Sequence, residues 1–193
     1  MNNLDKGIEA IKKGDHKTAF SLFTNEAQNG SAEAQFYLGI YYRGGEADVI
    51  DLEESERLIR LAAEQGFALA QKEMGTMYFK GKYLPTDRQE AFKWFRLAAE
   101  QGNPDALYML GTMYHEGIAV KKDIIASYKF YFLAGLKGDS RSTDIMLDME
   151  KRITPEEIFE GRMQVQEFLL KGKKPSERGE FLIMRDGFKL QIK

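Results

Sequence analysis

The sequence predicts an all-α stacked array of about five helix pairs, and three observations carry that prediction. Gly30, Gly66, Gly102 and Gly138 lie 36 residues apart. Leu38-Gly39 recurs in the same step as Met74-Gly75 and Leu110-Gly111, and Tyr42 recurs as Tyr78 and Tyr114. The stretch RLAAEQG stands twice, at 60–66 and 96–102. A period of about 20 to 50 residues running through most of a chain marks one supersecondary unit that has been copied, and no copy buries its apolar face alone.

Each unit reads as two helices. In the stretch 31–66, Ala34, Leu38, Gly39 and Tyr42 form the buried stripe of a first helix, Gly45 ends it, and Asp51 opens a second helix bearing Leu58, Ala62 and Ala63. In 67–102 the stripe is Ala70, Met74, Met77 and Tyr78, and Lys80-Gly81 is the stop. Asp87 suits an N-cap there, with Glu90 in capping-box position, and Ala91, Trp94, Phe95, Ala98 and Ala99 face inward. In 103–138 the scheme runs through Ala106, Leu110, Met113 and Tyr114, then Gly117, Asp123, Phe130 and Ala134. Trp94 is expected to fill the space between adjacent units. Helices are expected at 4–13, 15–29, 31–43, 51–65, 67–80, 87–101, 103–116, 123–137, 139–151 and 154–171. Gly39, Gly75 and Gly111 fall in mid-helix, where glycine costs about 1 kcal/mol against alanine. Three matching violations imply close approach of the paired helix, with Ala62, Ala98 and Ala134 packing backbone to backbone.

The bulk numbers fit this picture. With 43% apolar and 12% aromatic residues, the 193-residue chain has ample material for a continuous core. Its 28 basic and 30 acidic residues nearly cancel, so no global field draws nucleic acid or an anionic membrane. Residues 171–193 depart from that balance, with seven Lys/Arg against three Asp/Glu. Periodicity fails after Gly172, and the tail offers two short β-type runs, 181–185 and 188–192, around Asp186-Gly187, a hairpin signal. An isolated hairpin is marginal in water, so the tail is expected to dock on the array, to dock on a partner or to remain flexible, and a docked hairpin is expected to contribute to a binding or self-association surface. Cysteine is absent, which fits a reducing compartment. The opening MNNLDKGIEAIKKGD has neither a basic leader nor an apolar run, and no 18-residue apolar stretch occurs, so a cytoplasmic protein with no membrane segment is expected.

The pattern Ala-x-x-x-Leu-Gly-x-x-Tyr-x-x-Gly, followed by Asp, Ala, Trp and Ala-Ala-x-x-Gly, resembles the Sel-one-like repeat (SLR), a relative of the tetratricopeptide repeat. Residues 31–66, 67–102 and 103–138 match it in phase. Residues 1–30 resemble the half-repeat that begins such arrays, and 139–172 resemble a degenerate closing repeat, with Met146-Leu147 in the Leu-Gly place. Residues 1–172 would then form one solenoid and 173–193 a basic tail. The second glycine of the family's loop is replaced by Ala47, Tyr83 and Ala119, which bears on loop conformation. The resemblance implies a right-handed alpha-alpha superhelix whose first helices line a concave, partner-binding face. Carried onto this sequence by the Leu-Gly anchor, the binding positions are Glu33, Phe36, Ile40 and Arg43, then Leu69, Lys72, Thr76 and Phe79, then Asp105, Tyr108, Thr112 and His115. Phe36, Phe79 and Tyr108 are large aromatics that a polar groove does not need, and exposed aromatics rimmed by charge mark binding sites. The competing reading is that neighbouring repeats cover these rings.

Chemistry is poorly served. The two histidines, His16 and His115, are about a hundred residues apart, and His16 is expected to pack. No His, Cys and carboxylate spacing suggests zinc, no phosphate loop follows a strand, and no serine triad is indicated. No catalytic residue, cofactor or metal is therefore expected. The resemblance implies a non-enzymatic adaptor that binds a protein or peptide, or an immunity protein that blocks a bacterial toxin. An unrecognised enzyme and a self-assembling structural protein are the alternatives.

Overall fold

The structure, a computed structural model, describes residues 2–44 and 50–171. The expected tail hairpin and Ala47 lie outside the described residues. Among those described, the chain is all-α, with ten helices in two compact units that divide after Gln101. Unit 1 holds α1 (Asn3–Lys12), α2 (His16–Gln28), α3 (Ala32–Gly44), α4 (Leu52–Glu64), α5 (Ala68–Lys80) and α6 (Arg88–Glu100). Unit 2 holds α7 (Pro104–Glu116), α8 (Ile124–Leu136), α9 (Ser140–Met149) and α10 (Pro155–Leu170). Every expected helix is present with its ends within two residues.

Asp51, Asp87 and Asp123, 36 residues apart, fix where the second helices begin. Each carboxylate accepts from the backbone N–H three residues on, at 2.9, 3.0 and 2.9 Å. Their own amides donate to the carbonyls of Tyr42, Tyr78 and Tyr114, at 2.9, 3.1 and 3.0 Å, so each loop is latched across its mouth. That latch rules out the capping box expected at Glu90: the Asp87 amide is already engaged, and Glu90 pairs with Lys93 at 2.5 Å. Reciprocal boxes close α1, through Asn2 and Asp5, and α10, through Thr154 and Glu157.

The four glycines of the 36-residue ruler all adopt φ between 80° and 92°, the left-handed conformation that ends each second helix. Tyr83 and Ala119, in the loop places where the repeat pattern has glycine, take the same conformation, at φ 77° and 62°. The loop shape is thus retained, at a backbone cost of roughly 1–2 kcal/mol per residue.

The mid-helix glycines do mark close approach, but not to alanines. A β-carbon at Gly39 would lie 2.8 Å from Ile59 and 3.1 Å from the Ser55 carbonyl oxygen. At Gly75 it would meet the Phe95 ring at 2.7 Å, and at Gly111 the Tyr131 ring at 2.8 Å. Ile59, Phe95 and Tyr131 are again 36 residues apart. The bulk of the opposing helix fills the notch, and Ala62, Ala98 and Ala134, though fully buried, are not what the glycines admit. Phe95 is accordingly only 1% exposed, whereas Trp94 is half-buried and packs on the cluster of Phe36, Ile59 and Met74 rather than being enclosed.

Unit 1 also contains a polar ladder. The buried Gln35 amide donates to the Ala27 carbonyl (3.4 Å) and accepts from Gln65 (2.7 Å). One repeat later Gln71 donates to Ala63 (3.2 Å) and accepts from Gln101 (2.8 Å). Each rung ties three successive helices, α2–α3–α4 and then α4–α5–α6, through carboxamides with buried or backbone partners.

Unit 2 is organised around α8, which α7, α9 and α10 pack from three sides. Its buried residues run Ala126, Ser127, Tyr128, then Phe130 through Ala134, because a helix enclosed on three sides has almost no polar face to keep. Gly161 lets α10 approach: a β-carbon there would lie 2.5 Å from the Tyr128 ring. The Tyr128 hydroxyl donates to Glu150 at 2.5 Å, and Arg162 donates to Glu150 at 2.9 Å and to the Tyr128 oxygen at 3.2 Å. Leu147, in the place corresponding to the mid-helix glycines, is 49% exposed.

Candidate interaction surface

The anticipated binding positions lie on α3, α5 and α7, and the structure separates them by environment. In unit 1, Phe36 is not the exposed ring expected. It is 8% exposed, set edge-on to Tyr37 at 5.5 Å and tilted against Phe67 at 5.4 Å, and belongs to the core. The Phe36 ring turns inward because Phe67, just ahead of α5, offers it an aromatic partner. Ile40 is half-buried and packs on the same cluster. Glu33 is half-buried beside Tyr37, whose hydroxyl burial, followed by the Glu33 charge, pushes up in pKa. Leu69 is exposed, at 38%.

The remaining unit 1 positions converge. Arg43 at the end of α3 donates to Glu73 of α5 at 2.6 Å, and Lys72 reaches the other Glu73 oxygen at 3.2 Å. Glu73 was not anticipated, because a single acidic residue beside a lysine reads as solvated helix surface. Burial raises its pKa, but Arg43 and Lys72 outweigh burial and hold the carboxyl below its ordinary range. Thr76 donates back to the Lys72 carbonyl at 2.9 Å and so stays off the surface chemistry. Phe79 is half-buried, edge-on to Phe95 at 6.2 Å, with the Arg88 guanidinium 3.9 Å above its ring and bonded to its carbonyl. Tyr83, missed by the sequence reading as a contact residue, is 39% exposed, with Arg43 5.4 Å and Lys82 4.9 Å from its ring centre.

In unit 2, Tyr108 is half-buried, tilted against Tyr131 at 5.8 Å, and carries the Arg141 guanidinium at 4.4 Å. Arg141 also pairs with Asp105 at 3.1 Å and with Asp139, the N-cap of α9, at 2.5 Å. Arg141 was not anticipated; its signal is that it stands 36 residues after Asp105. The Arg141 hydrogen bond, with help from the Ser142 amide of α9, outweighs burial and holds Asp139 below the usual carboxylate range. Thr112 shares a hydrogen bond of 3.0 Å with the Tyr131 hydroxyl. His115 lies 3.7 Å from Glu116, with its Nδ1 buried and without a partner among the described residues. His16 packs as expected, 3.0 Å from the Tyr41 hydroxyl.

Among the described residues, no group of three or more His, Cys, Asp or Glu side chains has the arrangement to hold a metal ion. No described helix is long and apolar enough to cross a membrane.

Comparison with known proteins follows the same register. The Sel1 repeat model matches residues 32–67, 68–103 and 104–139. Comparison with the curated proteins finds no match. Among solved structures, c5321, a protective antigen present in uropathogenic Escherichia coli strains and displaying an SLR fold, is 29% identical over 83% of this chain, with a TM-score of 0.70. The chain spans 34% of that protein's length. A Sel1 repeat protein from Oxalobacter formigenes is 34% identical over 65% of this chain and 95% of its own, with a TM-score of 0.63. Helicobacter pylori cysteine rich protein B shares the fold alone, at 17% identity over 64% of this chain and 93% of its own, with a TM-score of 0.51. With three in-register matches over more than half of its length, the chain belongs to the Sel1 repeat family.

Proposed function

We propose that the chain is a non-enzymatic scaffold that binds another protein or a peptide through the first helices of its repeats, acting in the cytoplasm as an adaptor. Sel1 repeat proteins are typically protein-interaction scaffolds. The observation that carries the reading is the clustering of half-buried charges and aromatic rings, beyond what the core uses, at the ends of α3 and α5, with a separate cluster on α7. Rigid aromatics supply contact area at low entropic cost, and fixed charges set register. Arg43, Lys72 and Phe79 are the contact residues in unit 1, with Leu69 at their margin. Asp105, Tyr108 and His115 are those in unit 2. Glu33, Ile40, Thr76 and Thr112 support them, and Phe36 shapes the surface from below. The same surface would serve a toxin-blocking immunity protein, and the identity of the captured partner separates the two roles.

The test is an unbiased pull-down from the native organism, followed by titration of the captured partner. Phe79→Ala and Tyr108→Ala, measured singly, are expected to weaken binding by about 2 kcal/mol at a hot-spot position. Leu97→Ala on α6, whose side chain is 38% exposed, is the control and should leave binding unchanged. Circular dichroism of each variant checks the fold. Loss of binding in the control with none in the other two would move the site to the second helices.

A further inference from the structure

We infer that the partner segment received by unit 1 is an acidic peptide, seated at the C-terminal end of α5 between Lys72 and Tyr83. The inference rests on the scaffold reading above and names the chemistry of its ligand.

Two independent features point there. The first is charge. Among the described residues, Arg43 and Lys72 both pair with one carboxylate, Glu73, while Lys82 stands beside the Tyr83 ring that Arg43 also faces, so three cations neighbour one carboxylate that is already paired. The Arg43 and Glu73 side chains are only 18% and 13% exposed, and that of Lys72 only 24%, so solvent screens these charges poorly, while Lys82 is exposed at the edge. A second carboxylate brought by a partner would balance the cations, and the Arg43 guanidinium, which among the described residues gives one of its five N–H donors to Glu73, has the geometry to receive it.

The second feature is Tyr83. A large ring, 39% exposed, is held at φ 77° in a place that glycine would fill without strain. A strained, exposed aromatic persists where its side chain has work that the fold does not require. Its ring, flanked by Arg43 and Lys82, forms an apolar floor next to the cationic cluster. Acidic side chains on the cations, with an apolar side chain laid on Tyr83, satisfy both features at once. A basic segment would meet only repulsion.

The experiment uses the full chain and three fluorescein-labelled pools of twelve-residue synthetic peptides. The pools alternate Phe or Leu with Glu/Asp, with Lys/Arg, or with Ser/Asn, and binding is read by fluorescence anisotropy at low and high salt. The acidic pool is expected to bind, and to bind more weakly at high salt; the other two are expected not to bind. Tyr83→Gly should weaken binding of the acidic pool by about tenfold, the equivalent of removing two cation–π supports and the contact floor. Because glycine suits the left-handed backbone, this variant should fold as well as the parent, which separates recognition from stability. Lys82→Glu should act in the same direction. Equal binding of the three pools, or acidic binding indifferent to both substitutions, overturns the inference. A native partner that is lost with Phe79→Ala but retained by Tyr83→Gly and Lys82→Glu also overturns it, while leaving the scaffold reading standing.

Discussion

The two units hold their helices together by different chemistry. Unit 1 repeats a device: a buried glutamine on each first helix bonds backward to a carbonyl and is met from ahead by the glutamine that ends the next helix. Unit 2 has Leu107 and Lys137 at the corresponding places and closes instead on one hub helix, with a tyrosine, a carboxylate and an arginine meeting beneath α10. A ladder spreads its support over equal rungs, whereas a hub concentrates it in one ring. Where support is spread, the sequence stays periodic. Where it is concentrated, the repeat pattern has drifted, as the exposed Leu147 shows.

The largest expected effect tests that concentration. Tyr128 is fully buried, so Tyr128→Ala should destabilise the protein by about 3–5 kcal/mol, through the cavity left under Gly161 and the stranding of the Glu150–Arg162 pair. Gln71→Ala in unit 1 should cost less, about 1–3 kcal/mol, for the polar groups it leaves unpaired. Denaturant unfolding of both variants measures the difference, and equal losses would erase the distinction between hub and ladder.

Acid and alkali should also separate the units. Burial, reinforced by the bond to Glu150, raises the Tyr128 pKa above its ordinary value of 10.0. Its contribution is therefore complete below that value and is lost as pH rises through the folded-state pKa. Glu73 has the opposite sign. Burial pushes its pKa up, but Arg43 and Lys72 bring it below the ordinary 4.5, so its contribution is present above 4.5 and lost as pH falls through the folded-state value. Tyr128→Phe should flatten the alkaline limb of a stability-versus-pH curve, and Glu73→Gln the acid limb. Exchange of those two outcomes would show that the ionisations are misassigned.

The smallest expected effect is a gain. Ala119→Gly should stabilise unit 2 by about 0.5–1 kcal/mol, since relief of the left-handed backbone slightly exceeds glycine's added freedom in the unfolded chain. A loss on thermal melting would show that the alanine side chain makes a contact worth more than the strain.

The helix pattern was legible because stops and starts are local. A glycine takes a positive φ and an aspartate caps wherever they stand, so ten helices could be placed from one sequence. What lay across a gap was harder to read. Gly75 announced a close neighbour, but whether that neighbour was Ala98 or Phe95 depends on helix rotation, which periodicity does not fix. Nothing in a single copy of the repeat marks Gln35 and Gln65 as partners, and their recurrence as Gln71 and Gln101 is the clue the sequence offers. Phe36 and Tyr108 occupy equivalent places, two repeats apart, but differ in burial, because Phe67 covers the first ring. The binding surface was therefore legible as a set of positions and not as a set of exposed groups.

The latch between the Tyr42, Tyr78 and Tyr114 carbonyls and the Asp51, Asp87 and Asp123 amides closes each inter-helix loop from its two ends. In the two fully described loops, what lies between those ends is released from the task of joining the helices. The segments after Gly81 and Gly117 can consequently change composition from copy to copy, as Tyr83 and Ala119 already do, while the helices on either side keep their register. Such a loop is a socket: the array can diversify what it presents to other molecules without renegotiating how it folds.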